Sequence, residues 1–179
     1  FKTVQFGLDD NARIDMQALR ELAQKEKPQL IIIGNTAYPF ELDFAEFAKI
    51  ADEVGAWLVA DISHVAGLVV AGEHPNPVPH VHVVMTTTHK TLRGPRGAMI
   101  LVTQKGLDRD PDLGNKIDKA VFPGLQGGPH DNTTAGIAIA LEQAATPAFK
   151  EYGRQIRKNA TALANELKAG GLKLVGDGT

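Results

Sequence analysis

The sequence predicts an α/β fold, a mostly parallel sheet with flanking helices. Short continuous apolar runs, too short for helices, alternate along the chain with segments whose apolar residues recur at helical spacing. Strand and helix in alternation is the pattern of an α/β sheet. A second observation concerns the ends of the runs. Thr36, Asp61 and Lys90 each stand just beyond one of them. Ligands of such sheets collect at the carboxyl ends of the strands, so three useful side chains there point to one shared site.

The elements follow in order. The chain from Phe1 reads as part of a strand. Asp15 is placed to cap a helix carrying Met16, Leu19, Leu22 and Ala23 on one face, and Pro28 stops it. The run Leu30 to Ile33 is expected to be a buried parallel strand. Asp43 followed by Glu46 has capping-box spacing, with aspartate in place of serine or threonine. Phe44, Phe47, Ala48 and Ala51 then form a helical stripe that Gly55 closes. Residues 57–60 are the next buried strand and deliver Asp61 at its carboxyl end. Residues 81–87 and 98–102 are two more strands.

Residues 122–129 hold three glycines and two prolines and are read as a loop. Residues 133–145, apolar on most sides, predict a buried helix. Pro147 opens a longer amphipathic helix with Phe149, Tyr152, Ile156, Ala160, Leu163 and Leu167 on its stripe. Gly170 and Gly171 end it, and Leu172 and Leu174 alternate like a strand beginning. Pro147 is the expected boundary, with residues 1–146 in one domain and residues 147–179 leading into a second.

Composition removes several classes of function. The 179 residues suffice for a domain with a real core, and the net charge of −2 gives no basic surface for nucleic acid or an acidic membrane. Without cysteine there are no disulfides and no thiolate metal sites. His80 and His82 alternate along one strand, but no third ligand stands at a suitable spacing, so no metal is expected. There is no Walker lysine and no dinucleotide-binding glycine motif. No stretch reaches the roughly 18 apolar residues of a membrane span, and no signal peptide is legible, so a cytoplasmic location is the default expectation. The missing initiator methionine and the stop just after residues 172–174 suggest a piece of a longer polypeptide.

The densest chemistry lies in Val84-Met85-Thr86-Thr87-Thr88-His89-Lys90-Thr91-Leu92-Arg93-Gly94-Pro95-Arg96-Gly97. Three hydroxyls precede the lysine, and a glycine-proline turn holds the chain behind it. An amine in such a cramped, polar place is a candidate for Schiff-base chemistry, because partial desolvation favours the neutral nucleophile.

This segment resembles the pyridoxal-phosphate lysine segment of the serine hydroxymethyltransferase family. Ala60-Asp61-Ile62-Ser63-His64-Val65-Ala66-Gly67-Leu68-Val69, Pro75-Asn76-Pro77-Val78-Pro79-His80 and Val121-Phe122-Pro123-Gly124-Leu125-Gln126-Gly127-Gly128-Pro129 resemble the same family in its order and spacing. The resemblance implies a fold-type I enzyme. Residues 1–146 would be part of an aspartate-aminotransferase-like large domain, and 147–179 a linking helix and the start of a smaller C-terminal α+β domain. It implies interconversion of serine and glycine, with one-carbon transfer to tetrahydrofolate as co-substrate, in a homodimer with shared active sites. Ala98, Leu125 and His130-Asp131-Asn132 depart from the commonest family forms and mark a divergent member. The family's ring-stacking histidine, folate contacts and substrate-carboxylate arginine have no match here, so residues 1–179 alone are expected to be inactive.

The resemblance also implies roles. Lys90 would carry the cofactor, Asp61 would face its pyridine nitrogen, and His64 and Thr36 would lie near its phenolic oxygen. Thr87 would stand close to the reacting centre and His89 would influence substrate specificity. Arg96 would belong to the cofactor pocket, and Gly127 and Gly128 would offer backbone amides to the phosphate. Read alone, each has a plainer explanation. Asp61 and His64 could cap a helix, Thr36 and the glycines could simply turn the chain, and Arg96 could be a surface charge. Another fold-type I enzyme, such as a threonine aldolase or an aminotransferase, and a non-catalytic assembly module are the remaining alternatives.

Overall fold

In the computed structural model, which describes residues 1–178, the first helix starts where its cap stands. Asp15 accepts a hydrogen bond from the Ala18 amide at 2.9 Å and begins α1 (Met16–Glu26), which buries Leu19 and Ala23. Lys27 leaves the helix in the left-handed region, and Pro28 follows. After β1 (Leu30–Ile33), Asp43 caps α2 (Phe44–Val54) by accepting from the Glu46 amide at 3.0 Å. The reciprocal half of the capping box is not made. The Glu46 carboxylate turns instead to Arg20 of α1 at 2.6 Å and to Lys49 at 2.9 Å, where it can satisfy two cations. Gly55 ends α2 with φ 69°.

The chain continues through β2 (Trp57–Asp61), α3 (Ala66–Ala71), β3 (Val83–Thr87) and β4 (Ala98–Val102). Then come α4 (Gln104–Arg109), α5 (Leu113–Lys119), α6 (Asp131–Ala144) and α7 (Pro147–Ala169). An irregular helical turn, Ala120–Leu125, follows α5 and is interrupted by extended backbone at Phe122. The four-stranded sheet has the order β1-β2-β3-β4, with β1, β2 and β3 parallel and β4 antiparallel to β3. The fold is therefore α/β with a mostly parallel sheet, as the sequence predicts.

Ile33, Leu58, Ala60 and Val84 from the sheet share one core with Phe44, Phe47 and Ile50 of α2 and Phe149 of α7. Helix α7 reaches that core over α3. A Cβ on Gly153 would lie 2.3 Å from the Ala71 Cβ, so only a bare glycine lets the two helices meet this closely. Thr146 caps α7, and Pro147 occupies its first turn, where a missing amide costs nothing.

Several expectations need correction. The apolar strands are not buried on both faces: Ile32 is 59% exposed, and Leu30 and Ile100 are also exposed. A continuous apolar run signals two faces fit for burial, but among the described residues only one is fully covered. For the same reason α6 is not a buried helix, since only Ala140 and Ala144 are enclosed. On α7 the stripe holds except at Leu163, which is exposed. No strand forms at Phe1 or at residues 172–174. The first segment makes one isolated bridge, Leu8 to Ile14, and the last has no regular structure and leads into a short 3-10 turn, Val175–Asp177. Extended backbone needs a neighbouring strand for its amides and carbonyls, and neither segment has one here. β3 begins later than expected, at Val83, because the Leu58 amide of β2 donates to the His82 ring Nδ1 at 3.0 Å instead of to the backbone that leads into β3.

Candidate active site

The parallel run of β1, β2 and β3 brings their carboxyl ends to one edge of the sheet. β1 is followed by Gly34-Asn35-Thr36, β2 ends in Asp61, and β3 ends in Thr87, followed by the turn that holds Lys90. A cleft of about 220 Å³ opens there, lined by Gly34, Asn35, Thr36, Asp61, His64 and Lys90. Thr36, Asp61 and Lys90, the three residues singled out at strand ends, thus share one cavity. The cleft is smaller than the roughly 300–1,000 Å³ of common small-molecule pockets, so these residues make a wall of a site. A larger depression of about 680 Å³, between residues 10–13, Phe40 and residues 172–177, shares no residue with it.

Two contacts fix the position of Asp61. A Cβ on Gly34 would stand 2.3 Å from the Asp61 carbonyl oxygen and 2.9 Å from its Cβ, so β1 can close on β2 only with glycine there. The carboxylate is gripped by Ser63, whose amide and hydroxyl both donate to Oδ1, at 2.9 and 2.5 Å. Among the described residues Oδ2 accepts no hydrogen bond and is left for the cleft. Asp61 does not cap α3: its N-cap is Val65, which makes no side-chain capping bond. The helix-cap explanation of Asp61 and His64 therefore fails. His64 sits in the turn between β2 and α3, with Nε2 3.1 Å from the Thr36 hydroxyl.

The lysine turn is held from both sides. The Thr88 hydroxyl donates to Pro95 O at 2.7 Å, the Gly94 amide to Thr88 O at 2.8 Å, and the Arg93 amide to Lys90 O at 2.9 Å. Arg93 takes a left-handed conformation, φ 62°, and lays its guanidinium over the rings of Tyr152 and Phe149 on α7. Thr91 accepts from the Gly67 amide at 2.8 Å and joins the turn to α3. Lys90 is thus carried by a braced segment and is itself half-buried.

The other anticipated residues are placed differently. Thr87 and His89 do not line the cleft, yet Thr87 Oγ1 and His89 Nδ1 are buried without a hydrogen-bond partner. Buried polar atoms without partners carry a free-energy cost that a bound group can remove. Arg96 is exposed and lies 3.4 Å from His89 Nε2. Gly127 and Gly128 are exposed, outside the cleft, with open space where a Cβ would be; Gly128 has φ 57°. Two residues that sequence reasoning passed over belong to the site. Asn35 lines the cleft beside Thr36, and Ser63 holds Asp61.

A primary amine and a carboxylate with a free oxygen in one cleft fit pyridoxal phosphate, which needs an amine for its aldehyde and an anion for its ring nitrogen. No phosphate cradle lines the cleft itself.

The model of the serine hydroxymethyltransferase family matches residues 1–179. A serine hydroxymethyltransferase of Synechococcus sp. (strain JA-3-3Ab) is 54% identical over 180 residues, covering 100% of this chain and 40% of the relative. Those of Microcystis aeruginosa and Acidothermus cellulolyticus are each 53% identical over 180 residues, again 100% of this chain, and 41% and 40% of the relatives. The chain thus spans about two fifths of the length of the curated relatives it matches.

Proposed function

Because the chain belongs to the serine hydroxymethyltransferase family, we propose that it forms the lysine-bearing wall of a pyridoxal-phosphate enzyme that interconverts serine and glycine, with tetrahydrofolate as one-carbon acceptor. The observation that carries this reading is the meeting of Lys90, Asp61, His64 and Thr36 in one cleft, at the ends of parallel strands. When bound, pyridoxal phosphate supplies an aldehyde for amines and a ring that accepts the electron pair released at a substrate α-carbon.

The residues divide the remaining work. Lys90 Nζ would be the amine that holds the cofactor. Asp61 Oδ2 keeps a proton on the ring nitrogen, because an anion in a partly desolvated cleft favours the charged pyridinium. His64, hydrogen-bonded to Thr36, would face the cofactor's phenolic oxygen. Thr87 Oγ1 and His89 Nδ1 gain partners when the site fills, and Arg96 orients His89 through its guanidinium. Gly127 and Gly128 serve the phosphate of a neighbouring subunit, since bare amides on an exposed loop can approach an anion closely. Two such loops, exchanged across a two-fold axis, build two equal sites in a homodimer. Helix α7 is the connection toward a smaller C-terminal domain, and the enzyme acts in the cytoplasm.

The full-length protein should convert serine to glycine at a rate that rises with tetrahydrofolate. Asp61→Asn should retain cofactor but lower kcat by about 10²–10⁴-fold, the range for lost proton control. Near-normal turnover in Asp61→Asn would return that carboxylate to a mere anchor of its turn.

A further inference from the structure

We propose that Ser63 is a positioning residue that sets the orientation of the Asp61 carboxylate toward the cofactor's ring nitrogen. Ser63 is 4% exposed and lies two residues beyond the end of β2. Its hydroxyl accepts the Thr87 amide of β3 at 3.0 Å and donates to Asp61 Oδ1 at 2.5 Å. Because the Thr87 N–H can only donate, it fills an acceptor position on Ser63 Oγ and leaves the serine proton for the carboxylate. The relay therefore runs one way: Thr87 N–H to Ser63 Oγ–H to Asp61 Oδ1. Bonds in such a chain polarise one another, so the second is reinforced by the first.

The consequence is geometric. With the Ser63 amide also on Oδ1 at 2.9 Å, two donors engage the same oxygen and hold the carboxylate rotation about its Cβ–Cγ bond. Oδ2 is then the oxygen presented to the cleft. The same serine ties the end of β2 to β3, in the strand that leads to Lys90. Alanine at this position would remove one donor from Oδ1 and strand a buried amide of Thr87.

This inference rests on the cofactor reading above, and its test separates the two. In the full-length protein, loaded with pyridoxal phosphate labelled with 15N in the ring, the nitrogen signal reports whether the ring is protonated. Wild type should keep the protonated signal over the whole pH range in which it stays folded. Ser63→Ala should remain folded, with the signal now titrating, and should bind cofactor about five- to tenfold more weakly, the scale of one ordinary hydrogen bond's net contribution, because the lost bond reaches the cofactor only through the carboxylate. In an Asp61→Asn background, adding Ser63→Ala should change cofactor affinity less than twofold, because the serine acts through the carboxylate. An equal loss in both backgrounds would make Ser63 a structural residue and overturn the proposal. So would an unchanged nitrogen signal and affinity in Ser63→Ala while Asp61→Asn alters both, and the cofactor reading would then survive alone. A wild-type protein that takes up no cofactor would end both. Should Ser63→Ala fail to fold, Ser63→Thr, which retains the hydroxyl, should keep the nitrogen protonated; a titrating signal there, with folding intact, also overturns the proposal.

Discussion

Gly34→Ala tests how tightly β1 closes the cleft. The added Cβ would lie 2.3 Å from the Asp61 carbonyl oxygen, where real Cβ atoms keep at least 3.0 Å. The obstructing atoms are backbone O and C together with Asp61 Cβ, none of which can swing aside like a side-chain tip. The strand ends must therefore part by roughly 0.7 Å or more, the difference between those distances. Overpacking of this kind costs about 1–3 kcal/mol, so the protein should still fold, with a lower denaturation midpoint. The cleft suffers more than the fold, because the displaced atoms belong to Asp61 and to the segment bearing Thr36. A misplacement near 1 Å can cost about 10²-fold in rate, so kcat/KM for serine should fall by roughly 10- to 100-fold. Steady-state kinetics on the full-length variant, with circular dichroism to verify the fold, decides the matter. Turnover within twofold of wild type would mean that β1, an edge strand in the described residues, slides outward without disturbing Asp61.

Two further outcomes follow from the same geometry. Burial lowers the pKa of both His74 and His82 from the ordinary 6.5, with Lys105 and Arg109 adding to the effect on His82. The unfolded chain therefore takes up these protons first, so their contribution to stability is intact above about pH 6.5 and declines as pH falls. The carboxylates of Glu26 and Glu46, lowered from 4.5 by Lys2, Lys49 and Arg20, contribute their own loss only at more acid pH. Denaturation midpoints should thus drop as pH falls below about 6.5, and a level midpoint on that side would contradict the burial of the two imidazoles. The second outcome concerns subunit sharing. Full-length Lys90→Ala and Gly128→Val subunits, each inactive alone, should regain part of the wild-type activity when mixed, because one site of the heterodimer keeps both features. No recovery in demonstrated heterodimers would place the Gly127-Gly128 loop in its own subunit's site.

Much of this was legible in residue order. Leu30–Ile33 and Ala98–Val102 are strands over the expected residues, and Asp15, Asp43 and Pro147 mark helix starts, because caps act over three or four residues. Helices α3, α4 and α5 were not legible. Each has six or seven residues and contains a glycine, too little for a stripe, so tertiary contacts must sustain them. Nor does an apolar run say whether one face or two will be covered, and Ile32 shows the difference. In the site, the clustering of Thr36, Asp61 and Lys90 could be inferred because a parallel sheet sends every strand's end to the same edge. Ser63 could not, since its role depends on an amide 24 residues away, across a strand pair. The roles assigned to Gly127 and Gly128 came from resemblance alone, and residues standing in open space offer no local geometry to read.

The central claim is that Lys90 is the cofactor's amine. Full-length protein loaded with pyridoxal phosphate, reduced with borohydride and digested, should give a single pyridoxyl-bearing peptide containing Lys90, and Lys90→Ala should give none while remaining folded. A pyridoxyl group on Lys105 or Lys116, with Lys90 unmodified, would contradict the account.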